Sequence, residues 1–307
     1  MTSIAKHIYP RIVWRDREKK LWNPIHKKAL KNLPEERVRL RIMEALIQRG
    51  WSKHRISTEE AIGKIGDTSM RTDLICYSQQ FEPKLLVECK AEYVSISAKT
   101  AEQVARYNKK VDAPYVLMTN GISDFWYTID KASGKVKELD AHPNFLGANK
   151  KQLQYDFDEW KQRGFAGEKA SPDLRLWLED TLPNLWLSSS GTNIQFLTFS
   201  SSPSDIDLNH YYRIIQTSEN RRLALTTLNT AFGGNRLVII LNKENENKAV
   251  LEINLDVLFA DKKGNSSVYS KQGIQTFDLN NYIDLESKTQ VDAIVKEIDT
   301  LFIKHVD

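Results

Sequence analysis

The stretch RTDLICYSQQFEPKLLVECK (71–90) is an alternating apolar run with charged residues where the alternation should continue unbroken. Residues 72–77 and 84–90 are predicted to be the two strands of a β-hairpin. The connection, 78–83, is polar and ends in Pro83, which cannot donate to a sheet ladder. Pro83 therefore marks the end of the loop, and the second strand is predicted to begin at Lys84.

The turn determines which residues of the two strands face each other. If the hairpin is centred after residue 80, Asp73 lies opposite Glu88 and Ile75 lies opposite Leu86. Directly opposed residues point to the same side of a sheet. Two carboxylates are therefore expected to meet at the open end of the hairpin.

These acidic residues and a neighbouring lysine predict a cation site. The carboxylates of Asp73 and Glu88 repel each other, and Mg²⁺, which prefers carboxylate oxygens together with water and phosphate, relieves that repulsion. Lys90 shares the face of Glu88 and could orient or deprotonate a water, or stabilise charge on a phosphoryl group. The alternative is a surface ion pair on an edge hairpin. The apolar run before Glu88 favours the cation site, because it predicts a buried central strand, where Glu and Lys are rare.

Several motifs in order resemble a known family. Asp73 followed by Glu88-Cys89-Lys90 resembles the core of the PD-(D/E)XK nucleases, and QVARY (103–107) resembles the Q-x-x-x-Y element of the RecB-like and type I restriction branches. Over residues 20–130 the chain resembles the N-terminal domain of the type I restriction enzyme R subunit. The segments that carry this likeness are NPIHKKAL (23–30), PEERVRLRI (34–42), VECKAEYVSIS (87–97) and PYVLMTNG (114–121).

The resemblance implies an Mg²⁺-dependent endonuclease that hydrolyses DNA phosphodiester bonds, with Mn²⁺ as a substitute ion. Asp73 and Glu88 would hold the metal together with the backbone carbonyl of Cys89. Lys90 would position the attacking water. The metal would lower the pKa of that water and stabilise the phosphate in the transition state.

The resemblance implies three further site residues. Gln103 and Tyr107 are four apart on the predicted helix 99–111, so they share one face and would contact the phosphate together. Tyr107 could equally be an aromatic residue at the edge of the core. Glu35 is expected on the buried side of the first helix, where it would assist the metal; the alternative is that it only complements the helix dipole.

The first helix is itself well defined by the sequence. Pro34 suits its first position, and Gly50 follows its end. Arg37, Arg39 and Arg41 are expected to form a solvated face. The apolar stripe at helical spacing consists of Val38, Ile42, Ala45 and Leu46.

Composition describes an ordinary folded chain. It has 307 residues, 41% hydrophobic and 27% charged, with a formal net charge of +4, which is compatible with nucleic acid but not diagnostic of it. Cys76 and Cys89 are expected to be free thiols of a cytoplasmic protein. No apolar run approaches the ~20 residues of a membrane span, so no membrane partner is expected. The chain has no G-x-x-x-x-G-K-[ST] phosphate loop, so it is not expected to translocate DNA by itself.

The fold class predicted is α/β: a restriction-endonuclease-like mixed sheet flanked by helices, plus a second, mostly β domain with a C-terminal helix. The domains are 1–150 (nuclease-like), 151–190 (linker and helix) and 191–307 (β-rich). Short β-rich runs after residue 193 predict an antiparallel sandwich or barrel-like sheet with a helix over 290–305. Basic and aromatic residues interleave over 1–33, which suits either nucleic-acid contact or an arm packed over the core.

Three functions follow from these patterns. The first is the endonuclease, acting on DNA as a homodimer or with restriction-complex subunits, its C-terminal domain selecting DNA or a partner. The second is a non-catalytic nucleic-acid-binding module, in which the nuclease fold serves only as a scaffold. The third is an accessory nuclease subunit that cuts only inside a larger restriction complex.

Overall fold

A computed structural model describes residues 1–58, 61–65, 68–97, 108–130, 133–145, 155–187, 193–200 and 206–306. The chain divides into two compact units. Unit 1 consists of Met1–Arg11 and Lys20–Gln152, and unit 2 of Ile12–Lys19 and Leu153–Asp307. Each unit has its own sheet, so the predicted fold class is confirmed.

The N-terminal segment is integrated into the fold. Strand β1 (Ile12–Arg15) belongs to unit 2, whereas β2 (Glu18–Asn23) pairs through its second half with β3 (Lys28–Leu30). The apolar residues before β1 are buried, namely Ile4, Ala5, Ile8 and Tyr9. Of the two interpretations of residues 1–33, these four residues agree with an arm packed over the core.

Helix α1 (Pro34–Gln48) begins with proline in its first turn, and Gly50 follows it with φ +95°. All four residues of the predicted apolar stripe are buried. The expected solvated face is wrong: Arg37, Arg39 and Arg41 are each only 6% exposed. Long side chains can bury their stems and guanidinium groups when carbonyl and carboxylate partners are close.

Unit 1 is built on a six-stranded mixed sheet. Its strands are β4 (Ile56–Thr58), β7 (Leu74–Tyr77), β8 (Pro83–Cys89), β9 (Tyr115–Thr119), β10 (Asp124–Ile129) and β11 (Val136–Leu139), and β5 (Ala61–Ile65) pairs separately with β6 (Thr68–Arg71). The sheet order is β11-β10-β9-β8-β7-β4. Strand β8 is central, antiparallel to β7 and parallel to β9, as its apolar run predicts.

Unit 2 contains a seven-stranded antiparallel sheet in which every strand pairs with its sequence neighbours. The strands are β12 (Asn193–Leu197), β13 (His210–Ser218), β14 (Arg221–Asn229), β15 (Asn235–Lys243), β16 (Glu246–Asn254), β17 (Ser266–Ser270) and β18 (Gly273–Phe277). The expected sandwich or barrel is wrong. Within the described ranges the sheet is one open meander, with β12 and β18 at its edges.

Helices accompany the meander of unit 2. They are α2 (Phe157–Gln162), α3 (Pro172–Trp186), the single turn α4 (Leu255–Leu258) and α5 (Val291–His305). The Ser171 side chain caps α3 by accepting the Leu174 N–H. Asp299 of α5 forms an ion pair with Arg221 of β14, which ties the C-terminal helix to the sheet. In the part of the chain that is described, no helix combines the length and apolar character needed to cross a bilayer.

Candidate active site

The hairpin register agrees with the prediction. Leu74 pairs with Val87 and Ile75 with Leu86, so the next position in the same register brings Asp73 opposite Glu88. Asp73 precedes β7, and Glu88 is the penultimate residue of β8. The two acidic residues therefore lie at the open end of the hairpin, at the end of a buried central strand.

Two hydrogen bonds of 2.7 Å hold the acidic side chains in place. The Cys89 backbone N–H donates to Asp73 Oδ2, and the Lys90 ammonium donates to Glu88 Oε1. The Lys90 backbone N–H donates to the Thr119 carbonyl at 2.8 Å, which joins the end of β8 to the end of β9. The structure thus brings Asp73, Glu88, Cys89 and Lys90 into one cluster.

Helix α1 contributes a second pair of charges from its first turns. Glu36 accepts hydrogen bonds from the Arg39 guanidinium, and Arg39 Nη1 lies 4.0 Å from Asp73 Oδ1. The side chains of Glu36 and Arg39 are nearly buried, with 11% and 8% of their surface exposed. The sequence prediction missed both residues. The available signal was their i,i+3 spacing, which allows an ion pair on one helix face.

Electrostatic strain is concentrated on Asp73. Burial and the negative charge of Glu88 raise the pKa of Asp73 to about 6, against the opposing effects of the Cys89 N–H, Arg39 and Lys90. Burial alone would lower the pKa of Lys90, but the hydrogen bond and charge of Glu88, with the charge of Asp73, raise it above its ordinary value. Without a metal ion, Lys90 is therefore a cation, and the neighbouring protein groups do not fully offset the negative charge of Asp73 and Glu88.

The donor set suits a hard divalent cation. Asp73 Oδ1 and Glu88 Oε2 are not the oxygens that accept the Cys89 N–H and the Lys90 ammonium. The backbone carbonyl of Cys89, the last residue of β8, would be a further oxygen ligand. Carboxylate and carbonyl oxygens are the ligands that Mg²⁺ prefers, with water completing its shell. No group of three or more His, Cys, Asp or Glu residues within the described ranges is arranged to hold a metal. Any ion here would rely on two carboxylates, backbone oxygen and solvent.

Three further site residues were predicted from the sequence. Gln103 and Tyr107 lie outside the described residues. Glu35 is exposed, so its expected buried orientation is wrong, whereas its neighbour Glu36 faces the site through Arg39. A role for Glu35 at the metal stays a prediction.

Strand β10, which pairs with β9, begins with a buried acidic residue that sequence reasoning did not single out. Asp124 accepts the Thr119 hydroxyl at 2.6 Å and the Ile4 N–H at 2.7 Å. Burial raises the pKa of Asp124, and these hydrogen bonds oppose the rise. Because the Thr119 carbonyl accepts the Lys90 N–H, this network supports the strand end on which Lys90 depends.

The fold and site define a class: a mixed α/β domain with an acidic pair and a lysine at the end of its central strand. Residues 34–143 of this chain match the family described as type I restriction enzyme R protein N terminus. The match confirms the resemblance to that domain, and it includes Asp73, Glu88 and Lys90. It indicates a restriction-related function for this segment, in the context of a restriction complex and DNA. No curated protein and no solved structure matches the chain.

Proposed function

We propose that unit 1 is an Mg²⁺-dependent endonuclease of the PD-(D/E)XK type that hydrolyses DNA phosphodiester bonds. The observation that carries the proposal is the register that opposes Asp73 and Glu88 beside Lys90. A scaffold strand has no need of two carboxylates that repel each other. The family match supports a restriction-related setting, which also favours a cytoplasmic location and DNA as the partner.

Asp73, Glu88 and the Cys89 carbonyl would hold the metal. Mg²⁺, or Mn²⁺ in its place, would supply a water of lowered pKa and would stabilise charge on the phosphate. The Cys89 N–H donates to Asp73 Oδ2 and so orients the carboxylate, which leaves Oδ1 for the metal. The Lys90 ammonium, which donates to Glu88, would bind a phosphate oxygen or orient the water. Gln103 and Tyr107 are proposed to contact the same phosphate.

Plasmid cleavage tests the proposal. Purified protein is incubated with supercoiled DNA and Mg²⁺ or Mn²⁺, and Asp73→Asn and Lys90→Met are compared with the wild type. Loss of one such electrostatic group is expected to slow cleavage by roughly 10²–10³-fold. Glu138→Gln and Lys137→Gln, on exposed positions of β11, make the same charge changes away from the site and should cut normally. Equal cleavage by all variants would exclude this site as the origin of the activity.

One observation is also compatible with two other functions, a non-catalytic nucleic-acid-binding module and an accessory nuclease subunit. The Lys90 ammonium is already engaged by Glu88 at 2.7 Å, an ion pair that a scaffold would also keep. The accessory nuclease and the non-catalytic module differ in whether an added restriction ATPase subunit leads to cleavage. Cleavage that appears only when a restriction ATPase subunit is added, and that is lost in Asp73→Asn, would indicate an accessory nuclease. Nucleic-acid binding that never leads to cleavage with either ion, alone or with that subunit, would indicate a module without catalysis.

A further inference from the structure

The closed end of the β7–β8 hairpin carries a cavity that the proposed reaction does not use. Its volume is about 260 Å³, and its lining combines three cations with two aromatic rings: Arg49, Arg55, Lys84, Trp51 and Phe145. Lys84 is four residues before Glu88 on β8, about 13 Å away at the ~3.3 Å rise of a strand. The cavity is therefore distinct from the acidic site.

The charged side chains that line this cavity are all positive. Besides the cations and rings, its lining consists of Gly50, Ser78 and Gln79, so no acidic side chain among the described residues lines it. The Lys84 ammonium lies 5.4 Å from the ring centre of Phe145 and 5.5 Å from that of Tyr115. A cation packed on aromatic rings is held in place without an anionic partner. The cavity thus offers fixed positive charge to a ligand.

The aromatic wall is also organised. Phe145 packs edge-on against Trp51, with ring centres 5.7 Å apart, and against Tyr115, with ring centres 4.7 Å apart. The cavity is smaller than the ~300–1,000 Å³ of pockets for drug-sized ligands. An anion with a small flat ring fits this combination better than a bare anion, which would make no use of the rings.

A second concavity lies beside the first and shares Arg55 with it. Its volume is about 180 Å³, and it is lined by His54, Tyr77 and Phe81 among others. Phe81 is at the hairpin turn and is 68% exposed, so its ring is accessible to a ligand. Arg55 therefore stands between two aromatic surfaces.

We propose that the closed end of the β7–β8 hairpin binds single-stranded nucleic acid, with one base in each concavity and the intervening phosphate on Arg55. Alternation of cations with aromatic rings is the arrangement by which proteins hold unpaired strands, because every base has a face that can stack. Lys84 and Arg49 bind the flanking phosphates. The site is independent of cleavage, since it needs neither the acidic pair nor a metal.

Fluorescence anisotropy with a labelled thymidine oligonucleotide, in EDTA and at low salt, tests this site in the full-length chain. Phe81→Ala is expected to weaken binding by about fivefold or more, because it removes one stacking surface. Arg55→Gln and Lys84→Gln are each expected to weaken binding and to reduce the salt dependence by about one unit of slope. The exposed Ile122→Ala and Lys137→Gln are matched controls and should bind like the wild type.

Three ligands distinguish the interpretations. A backbone of the same length without bases should bind several-fold more weakly than the thymidine oligonucleotide, and a duplex should compete poorly. The proposal is overturned if the base-free backbone or polyglutamate binds as tightly, since the surface would then be a general anion site. It is also overturned if Phe81→Ala and Arg55→Gln bind like their controls. Asp73→Asn should retain this binding, so loss of cleavage and loss of strand binding are separable results.

Discussion

Asp73 occupies the least favourable electrostatic position of the acidic pair. Its folded-state pKa of about 6 lies above the 3.8 of an ordinary aspartate, so the folded chain binds a proton more tightly than the unfolded chain. The favourable contribution is fully present below pH ~4 and is lost as the pH rises through about 6. Above that pH two partly buried carboxylates face each other, and the Cys89 N–H, Arg39 and Lys90 compensate their charge only in part.

Asparagine at this position should therefore stabilise the metal-free protein at alkaline pH. Asp73→Asn keeps an oxygen for the Cys89 N–H and removes the charge, so we expect a gain of about 1–2 kcal/mol in unfolding free energy at pH 8, and about half that gain at pH 5. Urea unfolding in EDTA at both pH values measures this. Glu138→Gln, at an exposed position, is the control. A similar loss of stability at both pH values would show that the carboxylate is well compensated.

Residue-level prediction succeeded where the cause was local and failed where partners are distant. The opposition of Asp73 and Glu88 was predicted correctly because strand alternation and the turn determine the register of the hairpin. The burial of Arg41 has no local signal. Its guanidinium donates to the carbonyls of Ile8, Ala5 and Gly121, which are 33 to 80 residues away in the sequence.

At the level of elements, hairpins were predictable but their assembly was not. Local alternation and turn residues identified β7 and β8, and short β-rich runs after residue 193 indicated an antiparallel sheet in unit 2. Whether such strands form one sheet or two depends on which helices or strands pack against the apolar face of the sheet. Alternation of apolar and polar residues identifies that face but not the elements that pack on it. The open meander from β12 to β18 was accordingly expected as a sandwich or barrel.

Unit 2 also contains a close approach between loops that only glycine permits. A Cβ on Gly167 would lie 2.4 Å from the Gly233 carbonyl oxygen and 2.5 Å from that of Gly234, both in the turn between β14 and β15. The Gly167 N–H donates to Asn235 Oδ1 at 2.6 Å, so the loop has little freedom to withdraw. Gly167→Ala should cost about 2–3 kcal/mol of unfolding free energy, as overpacking does.

The matched comparison is Gly273→Ala at the start of β18. Gly273 has φ +114° but no atom within 4 Å of an added Cβ, so only backbone strain of about 1 kcal/mol is expected. Urea unfolding followed by circular dichroism ranks the two variants. A smaller loss for Gly167→Ala than for Gly273→Ala would mean that the two loops separate at little cost.

On the scale of the whole molecule, the second unit is discontinuous in sequence. Ile12–Lys19 belongs to it although the chain on both sides belongs to unit 1. The Trp14 indole N–H donates to Asn229 Oδ1 at 3.0 Å, and the buried Lys19 ammonium donates to the carbonyls of Asp207 and Asn209. Burial lowers the pKa of Lys19 to about 8, against the charge of Asp207. No local pattern in residues 12–19 indicates partners that are 188 to 215 residues away in the sequence.

This discontinuity predicts that a fragment of residues 153–307 is incomplete. Without residues 12–19, the carbonyls of Asp207 and Asn209 lose a buried ammonium donor, and an unsatisfied buried polar group costs about 1–3 kcal/mol. We expect a synthetic peptide of residues 10–21 to bind the fragment and to raise its midpoint of urea unfolding. The same peptide with Trp14→Ala and Lys19→Ala should have no effect. If the fragment alone unfolds at the same urea concentration with and without the native peptide, residues 12–19 contribute nothing to unit 2, and the bonds of Trp14 and Lys19 are incidental to its stability.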